Sequence, residues 1–279
     1  MISLKSFIEK YPKIHQLDST GILQITTITT ILHFDLIFNI PYIVDNIPLD
    51  PNFIINIKYG DNKSLYDQGK IYYRVIEGIN NTPKKKNNTM NQKKYIKHRN
   101  INKQIRFEFK IKEEKINFKI KLFENGTIQS TGSKNFVSVF YVIYNLFEIL
   151  KTDPKYLLDG YENLNIEKIS YFDCAMMNCK IDVGFKINRL SLFNLMNTMD
   201  LKTLIKFDPL RHASVSVKFD DLEKSDKIKK EISIFIFEKG TILINGSTNY
   251  KDLIKAYKFI MLIILKNKSK IELNKSIAY

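Results

Sequence analysis

Few side chains in this sequence are spaced for chemistry on a substrate. Four histidines, His15, His33, His98 and His212, lie scattered along 279 residues, with two cysteines, Cys174 and Cys179. Two thiols supply neither zinc-ligand spacing nor a disulfide framework, and they read as reduced, packed residues of a cytosolic or nuclear protein. No Gly-x-x-x-x-Gly-Lys phosphate loop occurs. Asp220, Asp221, Glu223 and Asp226 share one polar stretch and are most simply solvent-facing. The expectation is therefore a protein that is not an enzyme, with no catalytic residue, no metal and no cofactor. What the chain does supply is cations and rings: Lys+Arg 44 against Asp+Glu 29, a net charge of +15, with 15 Tyr and 19 Phe. Such an excess selects a polyanionic partner, nucleic acid before membrane. The competing reading is a lysine bias inherited from AT-rich coding, which the abundance of Ile and Asn also suggests.

One pattern survives that discount. Phe123–Ser133 reads Phe-Glu-Asn-Gly-Thr-Ile-Gln-Ser-Thr-Gly-Ser, and Phe237–Ser247 reads Phe-Glu-Lys-Gly-Thr-Ile-Leu-Ile-Asn-Gly-Ser. The same offset carries Asn135 onto Asn249. The spacing is far too long for a solenoid unit. Each copy stands between an alternating, strand-like run and a long apolar run, so the chain is expected to be a duplicated α/β half-domain.

The elements that must position these copies follow from periodicity. Residues 1–20 form an amphipathic lead-in with Ile2, Leu4, Phe7, Ile8 and Tyr11 at helical spacing. Ile22–Phe38 is a strand in which Ile22, Gln24, Thr26, Ile28 and Thr30 share a face. Pro41, Pro48 and Pro51 keep any helix there short or delay it past Pro51. Lys70–Glu77 is a probable strand, and about 78–104 is a basic insertion by composition, either a solvated excursion or a nucleic-acid clamp. Arg106–Lys112 and Ile116–Phe123 form a hairpin. In its second arm Phe118, Ile120 and Leu122 face one way while Lys119, Lys121 and Phe123 face the other. Asn125–Gly126 is a hairpin turn. Phe136–Leu150 is a helix apolar nearly all round, so it is buried or meets a partner. The second half repeats the series, with a short helix around Leu190–Met196, strands at Ala213–Phe219, Ile232–Phe237 and Thr241–Asn245, and a last helix from about Asn249 to Asn267, capped by Thr248 or Asn249. Antiparallel strands with helices gathered on one face make the fold class α+β. The expected organisation is 1–20, a first repeat at 21–152, a second repeat at 166–267, and a basic tail at 268–279. No secretory signal and no run of about 18 apolar residues is present, so a soluble protein away from membranes is expected.

With these residues in place, the pattern resembles the TATA-binding protein family, over about 20–150 and 166–267. The doubled Phe-x-x-Gly with a following Thr-Gly or Asn-Gly carries the likeness. So do Phe172, Asp182-Val183-Gly184-Phe185-Lys186-Ile187 and the corner Phe207-Asp208-Pro209, while Phe34-Asp35-Leu36 stands where Asp182-Val183 stands in the second half. The composition resembles the TATA-binding-like proteins of large DNA viruses. The resemblance implies a saddle of two pseudo-symmetric repeats, with a curved antiparallel sheet on DNA and helices on the convex back. It also implies minor-groove binding by inserted apolar wedges, for which that family is a known example. Phe123 and Phe237 match the strand-end wedges; their other reading is ordinary strand-end aromatics. His212 stands three residues past Pro209 where a second wedge is expected, and Arg106–Phe107 occupies the matching place in the first half. Thr131 and Asn245 match base-contacting positions. Phe235 and Leu243 stay apolar, Gln129, Lys119 and Lys121 replace more apolar residues, and Gln24, Thr26 and Thr30 are candidates on the first strand. The asparagine pair of that family is represented only by Asn178, two residues past Met176.

The implied function is transcription initiation on AT-rich promoter DNA. The implied partners are double-stranded DNA, general transcription factors such as a TFIIB-like protein, and the RNA polymerase machinery, in a nucleus, a viral cytoplasmic factory or a virion. The alternative is a recruiting or scaffold module that keeps the fold without sequence-specific bending.

Overall fold

The computed structural model describes residues 3–15, 23–50, 52–59, 72–75, 104–111, 116–199, 201, 203–219 and 231–273. The basic insertion at about 78–104, the acidic stretch Asp220–Asp226, Ile22 and the last residues of the basic tail lie outside them. The first half runs α1 (Leu4–Lys10), α2 (Pro12–His15), β1 (Gln24–Phe34), β2 (Ile37–Phe38), α3 (Ile40–Asn46), β3 (Ile54–Tyr59), β4 (Tyr72–Val75), β5 (Gln104–Ile111), β6 (Ile116–Phe123), β7 (Thr127–Ser133) and α4 (Phe136–Leu150). The second half runs β8 (Leu157–Asp159), β9 (Ile169–Asp182), α5 (Arg189–Thr198), β10 (Leu204–Lys206), β11 (Ser214–Phe219), β12 (Ile232–Phe237), β13 (Thr241–Ser247), α6 (Tyr250–Lys266) and α7 (Lys268–Ile271).

These elements gather into two compact units that do not follow the sequence repeats. The first holds Met1–Ile14, Ile31–Ser133 and Val137–Asp173; the second holds His15–Thr30, Lys134–Phe136 and Cys174–Tyr279. Each long strand of the repeat, β1 and β9, therefore contributes residues to both units.

In the first unit the strands are antiparallel in the order β7, β6, β5, β3, β4, with residues of β1 beside β7. Alternation sends Ile105, Phe107 and Phe109 of β5, Ile120 and Leu122 of β6 and Ile128 of β7 into the core. There Phe34 meets Phe147 of α4 edge-on, with ring centroids 4.9 Å apart. The other side of α4 is covered too. Ser3 caps α1 by accepting the Ser6 N–H, and the helix lays Phe7, 0% exposed, on Tyr141 and Tyr144, each 5.7 Å away. This explains a helix apolar nearly all round: it is sandwiched within its own unit. Asn39 caps α3 by accepting the Tyr42 N–H, and Pro41 in the first turn gives up no helical hydrogen bond.

The second unit orders its strands β10, β11, β12, β13, β9, with residues of β1 beside β9. Ile232, Ile234, Ile236, Ile242 and Ile244 point to one face, and α6 packs there through Leu253, Ala256, Ile260 and Ile264. Asn249 caps α6, its Oδ1 accepting the Asp252 N–H at 2.9 Å. The outer side of α6 differs from that of α4, for Leu262 and Leu265 are 55% and 57% exposed.

Two expectations need correction. Thr30 is 0% exposed, so it belongs to the core side of β1 and not with Gln24, which is exposed. The strand Ile54–Tyr59, shortly after Pro51, has no counterpart in the sequence reading, because six residues, three isoleucines with Asn56, Lys58 and Tyr59, are too few to separate strand from helix by period.

Candidate nucleic-acid interface

Each hairpin turn is held in the same way. In the first unit Gly126 has φ of 81°, its carbonyl accepts the Phe34 N–H at 3.2 Å, and a Cβ there would lie 2.1 Å from the Phe34 carbonyl oxygen. In the second unit Gly240 has φ of 85°, its carbonyl accepts the Val183 N–H at 3.0 Å, and a Cβ would lie 2.2 Å from the Phe185 carbonyl oxygen. Only glycine fits both the left-handed backbone and the close approach. These bonds align Phe34 with Val183 and Asp35 with Gly184, one residue away from the match of Phe34-Asp35-Leu36 with Asp182-Val183.

Locked this way, the two hairpins present their outward residues on the sheet face opposite the helices. In the second unit Lys206, Ser216, Phe235, Leu243 and Lys180 lie in register across five strands. A neighbouring row runs Leu204, Lys218, Ser233, Asn245. Phe235, Phe237, Leu243 and Asn245 are all half-buried, so the face is apolar with small polar groups set into it. Between Ile244 and Ser247 the register with β9 shifts, and Asn178 fills the gap by accepting the Gly246 N–H on its Oδ1 at 3.1 Å. Asn178 and Asn245 thus stand on adjacent strands, β9 and β13.

The first unit repeats this frame with other side chains. Phe123 ends β6 as Phe237 ends β12, and Gln129 and Thr131 occupy the places of Leu243 and Asn245. Phe123, Gln129 and Thr131 are half-buried, as is Lys121, while Lys119 is exposed. Lys119 stands opposite Thr131, and Lys121 opposite Gln129.

The remaining predicted residues take different situations. Gln24 is exposed at the start of β1. Thr26 is half-buried and spends its hydroxyl proton on the Asn178 carbonyl at 3.2 Å, so it has no donor left for a ligand. His212 is exposed on the turn that joins β10 to β11, where the Asp208 carbonyl accepts the N–H groups of Arg211 and His212. The same turn carries a residue the sequence pattern did not single out. Leu210 is 95% exposed, held outward as its N–H bonds the Asp208 carboxylate at 3.0 Å. Phe207 turns the other way, against Phe193 of α5 and under the Arg189 guanidinium. The turn leads into Ser214, which pairs with Phe237, so Leu210, His212 and Phe237 share one end of the second unit's sheet. A search for an aromatic three residues past Pro209 passes over Leu210; an apolar residue directly after a proline turn was the available signal.

Reactive groups are few. Cys174 and Cys179 are both buried, and burial pushes the Cys179 thiol up to about 11. Among the described residues no cluster of His, Cys, Asp and Glu could hold a metal ion, and no helix is long and apolar enough to cross a membrane.

No family model matches the chain. The sequence is 25% identical over 266 residues to a TATA-box-binding protein-like protein of Acanthamoeba polyphaga mimivirus, covering 90% of this chain and 67% of that relative. The structure is similar to that of TBP from Methanococcus jannaschii, with a TM-score of 0.53 and 14% identity over 88% of this chain and 98% of the other. The α+β arrangement anticipated from the doubled Phe-x-x-Gly segment is thus the TBP fold.

Proposed function

From a chain that has the TBP fold and is related in sequence to a viral TATA-box-binding protein-like protein, we propose a DNA-binding role in transcription initiation. The ligand is AT-rich duplex DNA, met in the minor groove by the sheet faces opposite the helices. One observation carries this reading: the same face, in both units, ends in a half-buried phenylalanine and carries a small polar group two rows further along on the neighbouring strand, Thr131 in one and Asn245 in the other. The A·T minor groove shows only acceptors and lacks the guanine amino group, so it suits hydroxyl and amide donors on an apolar surface. Asn178 and Asn245 supply such donors, Phe235 and Leu243 supply the surface, and Phe123, Phe237 and Leu210 are the groups able to press between base steps. The net charge of +15 draws the duplex in without choosing its sequence. No catalysis is part of this role. General transcription factors, among them a TFIIB-like protein, and the polymerase machinery are its protein partners, in a nucleus, viral factory or virion.

The test is a salt titration of binding to AT-rich and GC-rich duplexes, with end-to-end FRET as the measure of bending. Tighter binding to the AT-rich duplex with a FRET increase is expected. Equal affinity for the two and an unchanged FRET signal would defeat the minor-groove reading and favour the scaffold alternative, which the exposed His212 and the lysines at 119 and 121 already support.

A further inference from the structure

One side chain of the second unit touches both ends of the exposed turn between β10 and β11. Arg189 is the first residue of α5, directly after the cap in which Asn188 Oδ1 accepts the Ser191 N–H at 3.0 Å. Its guanidinium lies 5.5 Å from the centroid of the Phe207 ring, where the chain enters the turn. Its Nη1 donates to the Ala213 carbonyl at 2.9 Å, where the chain leaves it. Its Nη2 donates to Glu238 Oε2 at 3.0 Å, on the residue after Phe237. A planar fork of donors can meet a carbonyl and a carboxylate at once while stacking on a ring, which an ammonium group cannot. The Arg189 side chain is 23% exposed, so water competes with these bonds less than at an open surface. Inside the turn, Asp208 accepts from the N–H groups of Leu210, Arg211 and His212, which shapes the tip without joining it to the sheet. The first unit carries a different residue at this place. Asn39 and Asn188 cap their helices alike, and the Phe38 and Ile187 N–H groups bond the Glu124 and Glu238 carbonyls alike. Arg189 therefore answers Ile40, an aliphatic side chain buried in the core.

We infer that Arg189 is a positioning residue, which sets the turn carrying Leu210 and His212 beside Phe237 before any ligand arrives. Ser214 pairs with Phe237, so the link from Ala213 through Arg189 to Glu238 extends that ladder by one step beyond its last pair. It holds Leu210 and Phe237 at one end of the second unit's sheet. Leu210 is almost wholly exposed, and ordering a free turn upon binding costs affinity that a turn already ordered keeps. Arg189 itself makes no contact with the ligand in this role. The role rests on the DNA-binding reading above and adds what keeps one pair of its apolar groups in place.

Two measurements on the full chain test this. The first needs no DNA: a nitroxide on Leu210→Cys, the native thiols being buried, reports how freely the turn moves. Arg189→Gln and Glu238→Gln are each expected to sharpen its spectrum, which marks faster motion. Arg189→Lys should do the same, and a wild-type spectrum in that variant would assign the role to charge alone and overturn it. An unchanged spectrum in Arg189→Gln overturns the inference and leaves the DNA-binding reading standing. The second measurement repeats the salt titration and end-to-end FRET with Leu210 in place. Arg189→Gln should lower affinity for the AT-rich duplex about tenfold and shrink the FRET change. Its affinity for the GC-rich duplex and its salt slope should match those of Lys258→Gln, a control of equal charge change at an exposed position of α6. A slope lower than the control's by about 0.9 would make Arg189 a phosphate contact and overturn the positioning role. Glu238→Gln should also lower the AT-to-GC ratio. An equal gain on both duplexes, the result of removing a negative charge alone, overturns the inference. If Arg189→Gln does not fold, Glu238→Gln, whose carboxylate is half exposed, carries both measurements. A wild-type chain with no AT preference and no FRET change defeats the DNA-binding reading, and the nitroxide spectra then decide the positioning of the turn by themselves.

Discussion

The two hairpins offset by 114 residues agree on one side and disagree on the other. Toward the helices, Ile120, Leu122 and Ile128 in one unit answer Ile234, Ile236 and Ile242 in the other, all buried. Away from the helices, Lys119, Lys121 and Gln129 answer Ser233, Phe235 and Leu243, while the phenylalanine at the strand end and the threonine after the turn, Thr127 or Thr241, are common. The helices diverge in the same sense: α4 carries Tyr141 and Tyr144 where α6 carries Lys255 and Lys258, and only α4 is roofed by α1. Packing on the inner side tolerates only residues of similar volume. The outer side has no such constraint, so the two units are free to differ there.

The comparison is broken most severely at the turns. Gly126→Ala and Gly240→Ala should each cost on the order of 5 kcal/mol in chemical denaturation, because the new Cβ meets a backbone oxygen that cannot move aside. If either variant melts like wild type, the two hairpins are not held in the same way. Next comes the roof of α4. Phe7→Ala should cost about 3–5 kcal/mol by removing a fully buried ring, against no more than about 0.5 kcal/mol for Leu262→Ala on the bare face of α6. Equal costs would mean that α4 needs no roof. Smaller again is the effect of Phe237→Ala on binding. A fall in the AT-to-GC affinity ratio of roughly tenfold, about 1.4 kcal/mol, is expected with loss of the FRET change, while folding is kept. Unfolding of this variant would make Phe237 a core residue instead.

The smallest effect is found at a hydrogen bond made from α3. The Tyr42 hydroxyl donates to Asp153 Oδ2 at 2.6 Å. That bond, followed by the Lys155 N–H, holds the Asp153 carboxyl below its ordinary value of 3.8. The same bond raises the Tyr42 hydroxyl above 10.0. A depressed acid stabilises the fold above its unfolded value and loses that contribution as pH falls through the folded one. A raised phenol stabilises below its unfolded value and loses it as pH rises through the folded one. Tyr42→Phe should therefore lower the melting temperature slightly at pH 7 and leave it unchanged near pH 2 or pH 12. A difference of the same size at all three pH values would assign the loss to packing.

Much of this frame is legible in the residues themselves. The bounds of α4 can be read directly, since Phe136–Leu150 is an almost unbroken apolar run, and Asn249 announces α6 as a side chain that can accept its first free N–H groups. The face of β6 follows from simple alternation. What alternation could not give is β1: Ile25 and Ile28 are both buried, so the inward period changes within the strand and Thr30 falls on the core side. Cross-strand neighbours are hidden for a different reason. Lys58, Arg106 and Lys121 are separated by up to 63 positions in sequence, and only strand pairing brings them side by side. Leu210 was hidden because its chemistry is ordinary and its exposure is not.

The two buried thiols have a use at the bench. Maleimides and iodoacetamides attack thiolates that solvent can reach, and neither Cys174 nor Cys179 meets that condition in the folded chain. The protein is thus silent toward such reagents without removal of any native residue. A single cysteine placed at Leu210 would be the one labelled position, and a dye or photocrosslinker attached there would report directly on what the tip of that turn touches.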